Sequence, residues 1–130
     1  MNPFPDTLHF DNAGMRNGRR CVVLTTRFRA ITSFGMIEVP AGFLSDGGSI
    51  PPLAYSIVGS NMDDALEDFV LHDFLYSPLN HEFTRSEADH LLKETTYNRG
   101  ISRFKREAFF LAVRLFGGKH FQGKPPRMLL

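Results

Sequence analysis

The sequence predicts an α+β domain in which an N-terminal β-hairpin or small sheet is followed by a glycine-rich loop and three packed helices. Three observations favour this class. Residues 19–39 carry short runs rich in β-branched residues, residues 46–52 are dominated by Gly, Ser and Pro, and residues 63–116 place apolar side chains at helical spacing. The chain has 130 residues, 42% of them hydrophobic, which is enough to bury one core, so we expect a single domain.

The first part of the chain is expected to form an arm and a hairpin. Residues 1–18 are rich in Asn, Pro, Asp and Gly without periodicity, which is typical of an irregular arm, and the globular domain is expected over residues 19–118. Strands are predicted from Cys21 to Phe28 and from Met36 to Val39. The Thr32-Ser33-Phe34-Gly35 stretch between them has the composition of a turn, so the two strands would pair as a hairpin.

The three predicted helices are bounded by residues that start and stop helices. The first is predicted from Asp63 to Tyr76. A capping box at Thr84-Arg85-Ser86-Glu87 starts the second helix, which ends near Asn98-Arg99-Gly100. Ser102 caps the third helix, which is predicted from Arg103 to Phe116.

Helical periodicity also assigns the core faces. The residues expected to face inward in the second and third helices are Ala88, Leu91, Leu92, Thr95, Ala108, Leu111, Ala112 and Leu115. The phenylalanines assigned to the core, rather than to a platform for stacking bases, are Phe104, Phe109, Phe110 and Phe116. Residues 119–130 are expected to be a basic tail without regular structure.

The composition gives no reason to expect nucleic-acid binding. Lys and Arg total 15 against 14 for Asp and Glu, so the formal net charge of +1 provides no general attraction to DNA or RNA. Cys21 is the single cysteine, which excludes an intrachain disulfide. Residues 1–20 lack the features of a signal peptide and no segment is long enough to span a bilayer, so we expect neither signal-dependent export nor a transmembrane segment.

His72 and Asp73 are the strongest candidates for chemistry, because an imidazole and a carboxylate lie inside an otherwise apolar helix and need partners there. His72 and Tyr76 share one helix face, whereas Asp73 lies about a quarter turn away. An antiparallel second helix would bring Asp89 near His72 or Tyr76, where its carboxylate could orient the imidazole. The alternative interpretation is a satisfied core histidine beside a carboxylate that serves helix packing.

Arg85 precedes Asp89 by one helical turn. This spacing is typical of an ion pair on a helix surface. Such a pair would be structural, whereas the alternative is that Arg85 and Asp89 belong to the site. The sequence leaves both interpretations open.

The loop Asp46-Gly47-Gly48-Ser49 is the second candidate. Adjacent glycines let backbone amides or carbonyls point inward and Asp46 is a hard oxygen ligand, so the loop could hold a cation or an oxyanion. A mixed metal site of His72, Asp46 and Asp89 is one form of this hypothesis. The alternative is a tight turn ahead of Pro51-Pro52, capped by Asp46 or Ser49.

Four motifs, in this order, resemble the DUF1353 family, a family of unknown function found mainly in bacteriophages and prophages. They are Asp46-Gly-Gly-Ser-Ile-Pro, His72-Asp-Phe-Leu-Tyr, Arg85-Ser-Glu-Ala-Asp and Ala112-Val-Arg-Leu-Phe-Gly. The resemblance covers about residues 20–118. It departs from the family at Gly48, where alanine is expected more often. It implies a phage origin and a shared polar cluster, but no settled activity.

The His72-Asp73 helix also resembles that of secreted and bacterial phospholipases A2, in which His-Asp is followed three residues later by Tyr, behind a glycine-rich calcium loop. The resemblance implies that His72 is a general base, that Asp73 and the loop from Asp46 to Gly48 bind calcium, and that Asp89 orients His72. The disulfides that flank the motif in many phospholipases A2 have no counterpart in a chain with one cysteine, which argues against homology.

Two functions from different classes follow. The first is a phage-encoded, hydrolase-like domain in which a solvent-reachable His72, with Tyr76 and Asp89, activates water. A divalent cation, calcium or zinc, near Asp73 or Asp46 would polarise an ester or amide carbonyl of host-envelope lipid or cell wall. The alternative is a noncatalytic virion or tail-assembly component, in which the same cluster is a buried structural network.

The expected partners are other phage proteins or a component of the host envelope. The expected location is the host cytoplasm during synthesis, with association with the virion as a further expectation. A third hypothesis is a host-directed binding protein that makes contact through the arm or the basic tail.

Overall fold

A computed structural model describes residues 2–16, 19–45 and 65–125 of the chain. The elements in chain order are β1 (Phe10–Arg16), β2 (Arg19–Leu24), β3 (Phe28–Thr32), β4 (Gly35–Val39), β5 (Leu44–Ser45), α1 (Leu66–Tyr76), α2 (Arg85–Asn98) and α3 (Arg103–Phe116). A short 3-10 turn, Gly118–His120, follows α3. Strands followed by helices confirm the predicted α+β class.

The strands form two small antiparallel sheets, one with the order β1-β2-β5 and one that pairs β3 with β4. The predicted turn is confirmed, because Thr32 pairs with Gly35 and Gly35 has a φ of +98°, which favours glycine. The hairpin strand is β3, however, and the single strand predicted from Cys21 to Phe28 is wrong. The chain bends at residues 25–27, so that β2 and β3 belong to different sheets.

The N-terminal segment is more regular than the sequence predicts. No regular structure was expected over residues 1–18, whereas β1 lies at Phe10–Arg16 and pairs with β2. Asn12 and Gly14 are poor strand formers, and pairing with β2 overrides their local preference. Phe4 is buried and stacks on Phe28, with 5.0 Å between the ring centroids. The segment before β1 therefore contributes to the core.

Helix α1 is the central helix of the fold. It is buried on all sides, whereas a helix on the surface of a domain buries one stripe. Val70, Leu71 and Leu75 pack in a cluster with the strands and α2, and Phe69 packs in a second cluster with α3. The start predicted at Asp63 lies outside the described residues, as do residues 46–64 in general. Polar groups on α1 are consequently placed in a core.

Helix α2 begins and packs as the sequence predicts. Thr84 Oγ1 accepts a hydrogen bond from the Glu87 amide at 3.2 Å, and Glu87 Oε1 accepts one from the Thr84 amide at 2.9 Å. Its predicted inward residues, Ala88, Leu91, Leu92 and Thr95, are all buried. The connection from α1 to α2 is organised by Asn80, which donates to Leu75 O and Phe83 O, both at 2.7 Å.

Helix α3 has the predicted cap and bounds, but its inward face differs. Ser102 Oγ accepts from the Lys105 amide, while the buried residues are Phe109, Ala112 and Val113. The assignment of Leu111, Leu115, Phe104 and Phe116 to the core is wrong, because they are 57%, 64%, 79% and 36% exposed, respectively. The sequence of α3 carries two apolar stripes. Periodicity cannot decide which of them meets Ala65 and Phe69, the residues that pack against the buried stripe.

The described part of the tail, residues 119–125, lies against α1. The Gln122 amide donates to Tyr76 O at 2.7 Å, and the Lys124 amide donates to Asn80 O at 2.8 Å. The ring of Phe121 meets that of Tyr76 edge-on at 5.3 Å. This segment therefore satisfies one backbone carbonyl at the end of α1 and one in the connection to α2. In the described ranges, no helix is long and apolar enough to cross a membrane.

Candidate functional site

His72, Tyr76 and Asp89 meet between α1 and α2. His72 Nε2 lies 2.7 Å from Asp89 Oδ1, and the Tyr76 hydroxyl donates to the same oxygen at 2.6 Å. His72 and Tyr76 are one helical turn apart, and their ring centroids are 4.2 Å apart. Because α2 runs antiparallel to α1, it brings the Asp89 carboxylate to the imidazole of His72.

Asp89 is held as an anion. Its side chain is fully buried, and burial alone would raise its pKa, but hydrogen bonds with His72, Tyr76 and Arg114 hold the pKa below its usual value. Arg114 Nη1 donates to Asp89 Oδ2 at 2.8 Å. Since an ionised carboxylate only accepts hydrogen bonds, the proton in the pair with His72 is assigned to Nε2.

Arg85 links the site to the end of α3 and is not part of a surface ion pair. Its Nε is 3.8 Å from the buried Asp89 Oδ2 and donates to the Tyr76 hydroxyl at 3.1 Å. Its Nη2 donates to Val113 O at 2.9 Å and to Arg114 O at 2.7 Å. A guanidinium at the carbonyl end of a helix is favoured by the helix dipole. Arg85 therefore connects α1, α2 and α3 at one point.

Gly117 lets the end of α3 approach Tyr76. A Cβ atom at Gly117 would lie 2.5 Å from Val113 O and 2.8 Å from the Tyr76 hydroxyl. At Gly118 it would meet Arg85 Nη1, the end of a flexible side chain, at 3.3 Å. The close contact around Tyr76 thus requires glycine at position 117 but not at position 118.

Asp73 lies on a different side of α1 and accepts a hydrogen bond from Ser45 Oγ at 2.5 Å. Ser45 ends β5 and immediately precedes Asp46 in the chain. The structure therefore places Asp73 beside the strand that leads into the glycine-rich loop. Asp46, Gly47, Gly48 and Ser49 themselves lie outside the described residues.

Within residues 2–16, 19–45 and 65–125, no group of three or more His, Cys, Asp or Glu side chains is arranged to hold a metal ion. Of the predicted metal ligands, the structure describes His72, Asp73 and Asp89, and Asp46 lies outside the described residues. His72 and Asp89 are bonded to each other, and Asp73 is bonded to Ser45. A site built around Asp73 would need further ligands, and their predicted source is the segment that begins at Asp46.

The His72 side chain is enclosed. His72 is 1% exposed and Tyr76 is 4% exposed. A solvent-reachable imidazole, which the catalytic hypothesis requires, is therefore not found in this conformation. Water or substrate could reach the ring only after a movement of the surrounding residues.

A third buried carboxylate, Asp68, lies one turn before His72 on α1 and pairs with Arg99. Burial raises the pKa of Asp68 to about 6, against the opposing effects of Thr95 and Arg99. Arg99 also pairs with Glu67 at 3.0 Å. Neither Asp68 nor Arg99 was predicted from the sequence as a site residue.

Arg114 is a site residue that sequence reasoning missed. It lies between apolar residues in the Ala112-Val-Arg-Leu-Phe-Gly motif, and an isolated arginine in such a run is the signal that could have identified it. Its partner could not be named from the sequence, because Asp89 lies on another helix, 25 residues away along the chain.

Comparison with protein-family models identifies the family of the chain. The family model described as "Protein of unknown function (DUF1353)" matches residues 22–113, which is more than half of the chain. The chain belongs to the DUF1353 family. Comparisons with curated proteins and with solved structures find no match.

The DUF1353 match contains most of the polar cluster. His72, Tyr76, Arg85 and Asp89 fall inside residues 22–113, and Arg114 follows the matched segment directly. The description of DUF1353 assigns no activity, so a functional hypothesis has to be argued from the site itself.

Proposed function

We propose that this DUF1353 protein is a phage-encoded, hydrolase-like domain in which His72 is the general base. The observation that carries the proposal is the 2.7 Å contact between His72 Nε2 and Asp89 Oδ1, with the Tyr76 hydroxyl on the same oxygen. An imidazole that donates from Nε2 to a carboxylate has its basic lone pair on Nδ1. A fixed orientation and tautomer are what a general base needs.

The chemistry assigned to the residues is the hydrolysis of an ester or amide. The reaction requires that the residues around His72 first move to admit water and substrate, because the ring is 1% exposed. Nδ1 of His72 then takes a proton from water as the water oxygen attacks the carbonyl carbon. The imidazolium then returns the proton to the leaving group as the bond to the carbonyl carbon breaks. Asp89 stabilises the imidazolium, while Arg114 and Tyr76 keep the carboxylate charged and in place.

The proposed cation belongs near Asp73. A divalent cation, calcium or zinc, would polarise the substrate carbonyl when bound. The described residues fit this role in part, since Asp73 offers a carboxylate beside the strand that leads to Asp46. Asp46 and the following loop would supply the other oxygen ligands. The proposed substrates are lipid esters or cell-wall amides of the host envelope.

The test is the hydrolysis of isolated envelope lipid and cell wall by the wild type and by His72→Gln, with calcium, with zinc and with a chelator. We expect turnover to fall at least about 100-fold in His72→Gln. Met36→Gln, which changes an exposed residue on β4, is the control and is expected to keep full turnover. Normal turnover in a folded His72→Gln protein, or no hydrolysis of either substrate by the wild type, would overturn the proposal.

Burial of the site favours a second candidate, a noncatalytic virion or tail-assembly component. His72 is 1% exposed, and Asp89 is shared by residues of all three helices in the described part of the chain, as expected for a network that fixes helix packing. In this case His72→Ala would lower the melting temperature by several degrees, and the protein would be present in purified particles. Its absence from particles by mass spectrometry would exclude the virion role.

A further inference from the structure

We infer that α3 is a docking surface for an anionic lipid bilayer, with its exposed apolar stripe inserted among the lipid headgroups. The stripe consists of Phe104, Leu111 and Leu115, which are 79%, 57% and 64% exposed. At 3.6 residues per turn, these three positions fall within about 40° of one another around the helix. The inference does not depend on the proposed hydrolysis.

The stripe is a second apolar face of a helix that is already packed. The opposite stripe, with Phe109, Ala112 and Val113, is buried against Ala65 and Phe69. The exposed stripe runs over about 16 Å of helix, so α3 would lie flat in the membrane interface. Isolated apolar residues on a surface need no explanation, but an aligned row of large ones marks an interaction site.

The charge around the exposed stripe of α3 indicates which partner it binds. Residues 103–125 contain six Lys or Arg and one acidic residue, Glu107, although the whole chain is nearly neutral. The exposed Arg103 precedes Phe104 and lies beside the stripe, and the exposed Lys119 lies beyond its end. Basic residues that flank an apolar row can reach lipid phosphates while the apolar row enters the bilayer.

A second copy of the chain is a poorer occupant, because its own stripe has the same basic margin. Two such faces would repel each other. Arg114 does not add to this charge, since it is paired with the buried Asp89, and Glu107 is paired with Lys93 at 3.3 Å. The exposed Arg103 and Lys119 give the face a cationic character, which fits an anionic bilayer.

The first experiment uses the full chain and the variant Phe104→Trp. Since the chain has no Trp, the variant has one fluorophore, placed on the stripe. Vesicles of phosphatidylcholine and phosphatidylglycerol should shift its emission to the blue and carry the protein in flotation. Vesicles of phosphatidylcholine alone should do so much less, and high salt should release the protein.

The second experiment separates the contribution of the apolar stripe to vesicle binding from that of the basic residues. We expect Leu111→Gln with Leu115→Gln to weaken vesicle binding by at least about ten-fold. Arg103→Gln and Lys119→Gln should each weaken it by roughly five-fold. Met36→Gln and Arg27→Gln, which remove an exposed apolar residue and an exposed charge on or near the β3–β4 hairpin, are the matched controls and should bind as the wild type does.

Three outcomes would overturn the inference, with folding of each variant verified by circular dichroism. They are failure of the wild type to bind anionic vesicles, equal losses in the control variants, and a wild-type dimer that Leu111→Gln with Leu115→Gln converts to monomer. Vesicle binding by His72→Gln at the wild-type level would support a surface separate from the proposed catalytic site.

Discussion

The imidazole of His72 and the carboxylate of Asp89 are joined at 2.7 Å although both side chains are buried. Asp89 is also bonded to Tyr76 and Arg114, so α1, α2 and α3 share one charged group. A buried anion is tolerated only while its partners remain, and this makes the site sensitive to the loss of any one of them.

Asp89→Asn should destabilise the fold by about 3 kcal/mol, because it leaves the partly buried Arg114 charge without its partner. For a domain of this size we expect a fall in melting temperature on the order of 10 °C. The control is Glu107→Gln, which removes a carboxylate from the exposed pair with Lys93 and should cost less than about 1 kcal/mol. Similar losses in the two variants would contradict the assigned role of Asp89.

The stabilisation from Asp89 should disappear in acid. Its folded pKa is lowered below the usual 3.8, so the unfolded state takes up the proton first as the pH falls. The contribution is present above about pH 4 and is lost as the pH drops through the folded pKa. Urea unfolding of the wild type and Asp89→Asn should therefore show a constant difference at neutral pH that shrinks below pH 4. A difference that grows in acid would mean that folding raises the pKa of Asp89, which would contradict the prediction.

Asp68 should have the reverse pH dependence. Its pKa is raised from 3.8 to about 6, so its favourable contribution is complete below pH 3.8 and is lost as the pH rises to about 6. Between pH 4 and pH 7 the wild type should lose about 2 kcal/mol of stability relative to Asp68→Asn. The quantity to compare is the slope of unfolding free energy against pH in the two proteins. Parallel slopes would contradict the raised pKa.

Gly117→Ala should destabilise the fold by about 1–3 kcal/mol, because the new methyl group would lie 2.5 Å from the Val113 carbonyl oxygen, a backbone atom. Backbone strain is not the cause, since φ at Gly117 is −80°. Gly118→Ala is the matched control, because its methyl group meets only the flexible end of Arg85 and should cost less. Thermal melts compare the two. A larger loss in Gly118→Ala would refute this account of the contact with Tyr76.

The parts of the site that sequence reasoning predicted are those set by short-range geometry. His72 and Tyr76 share a face because they are one turn apart, and Asp89 reaches them because a short connection makes α2 antiparallel to α1. Arg114 required knowledge of how α3 crosses the other helices. Ser45 required the position of β5, a two-residue strand with no periodic pattern to reveal it.

Contacts between distant elements also explain where the fold was predicted wrongly. The sequence of β1 contains Asn12 and Gly14, and its strand conformation comes from pairing with β2, which a local pattern does not show. In α3, Leu111 and Phe109 are equally apolar, and which of them is buried depends on where Ala65 and Phe69 lie. Helix caps were predicted more accurately, because the capping contacts of Thr84 and Ser102 are made within three residues.

The hydrogen bonds from the amides of Gln122 and Lys124 to the carbonyls of Tyr76 and Asn80 can form only late in translation. These donors leave the ribosome after α1, α2 and α3 have been synthesised. Until they emerge, the carbonyl of Tyr76 at the end of α1 and that of Asn80 lack these partners within the chain. A nascent chain halted just after α3 would present this end of the helix to water or to a chaperone.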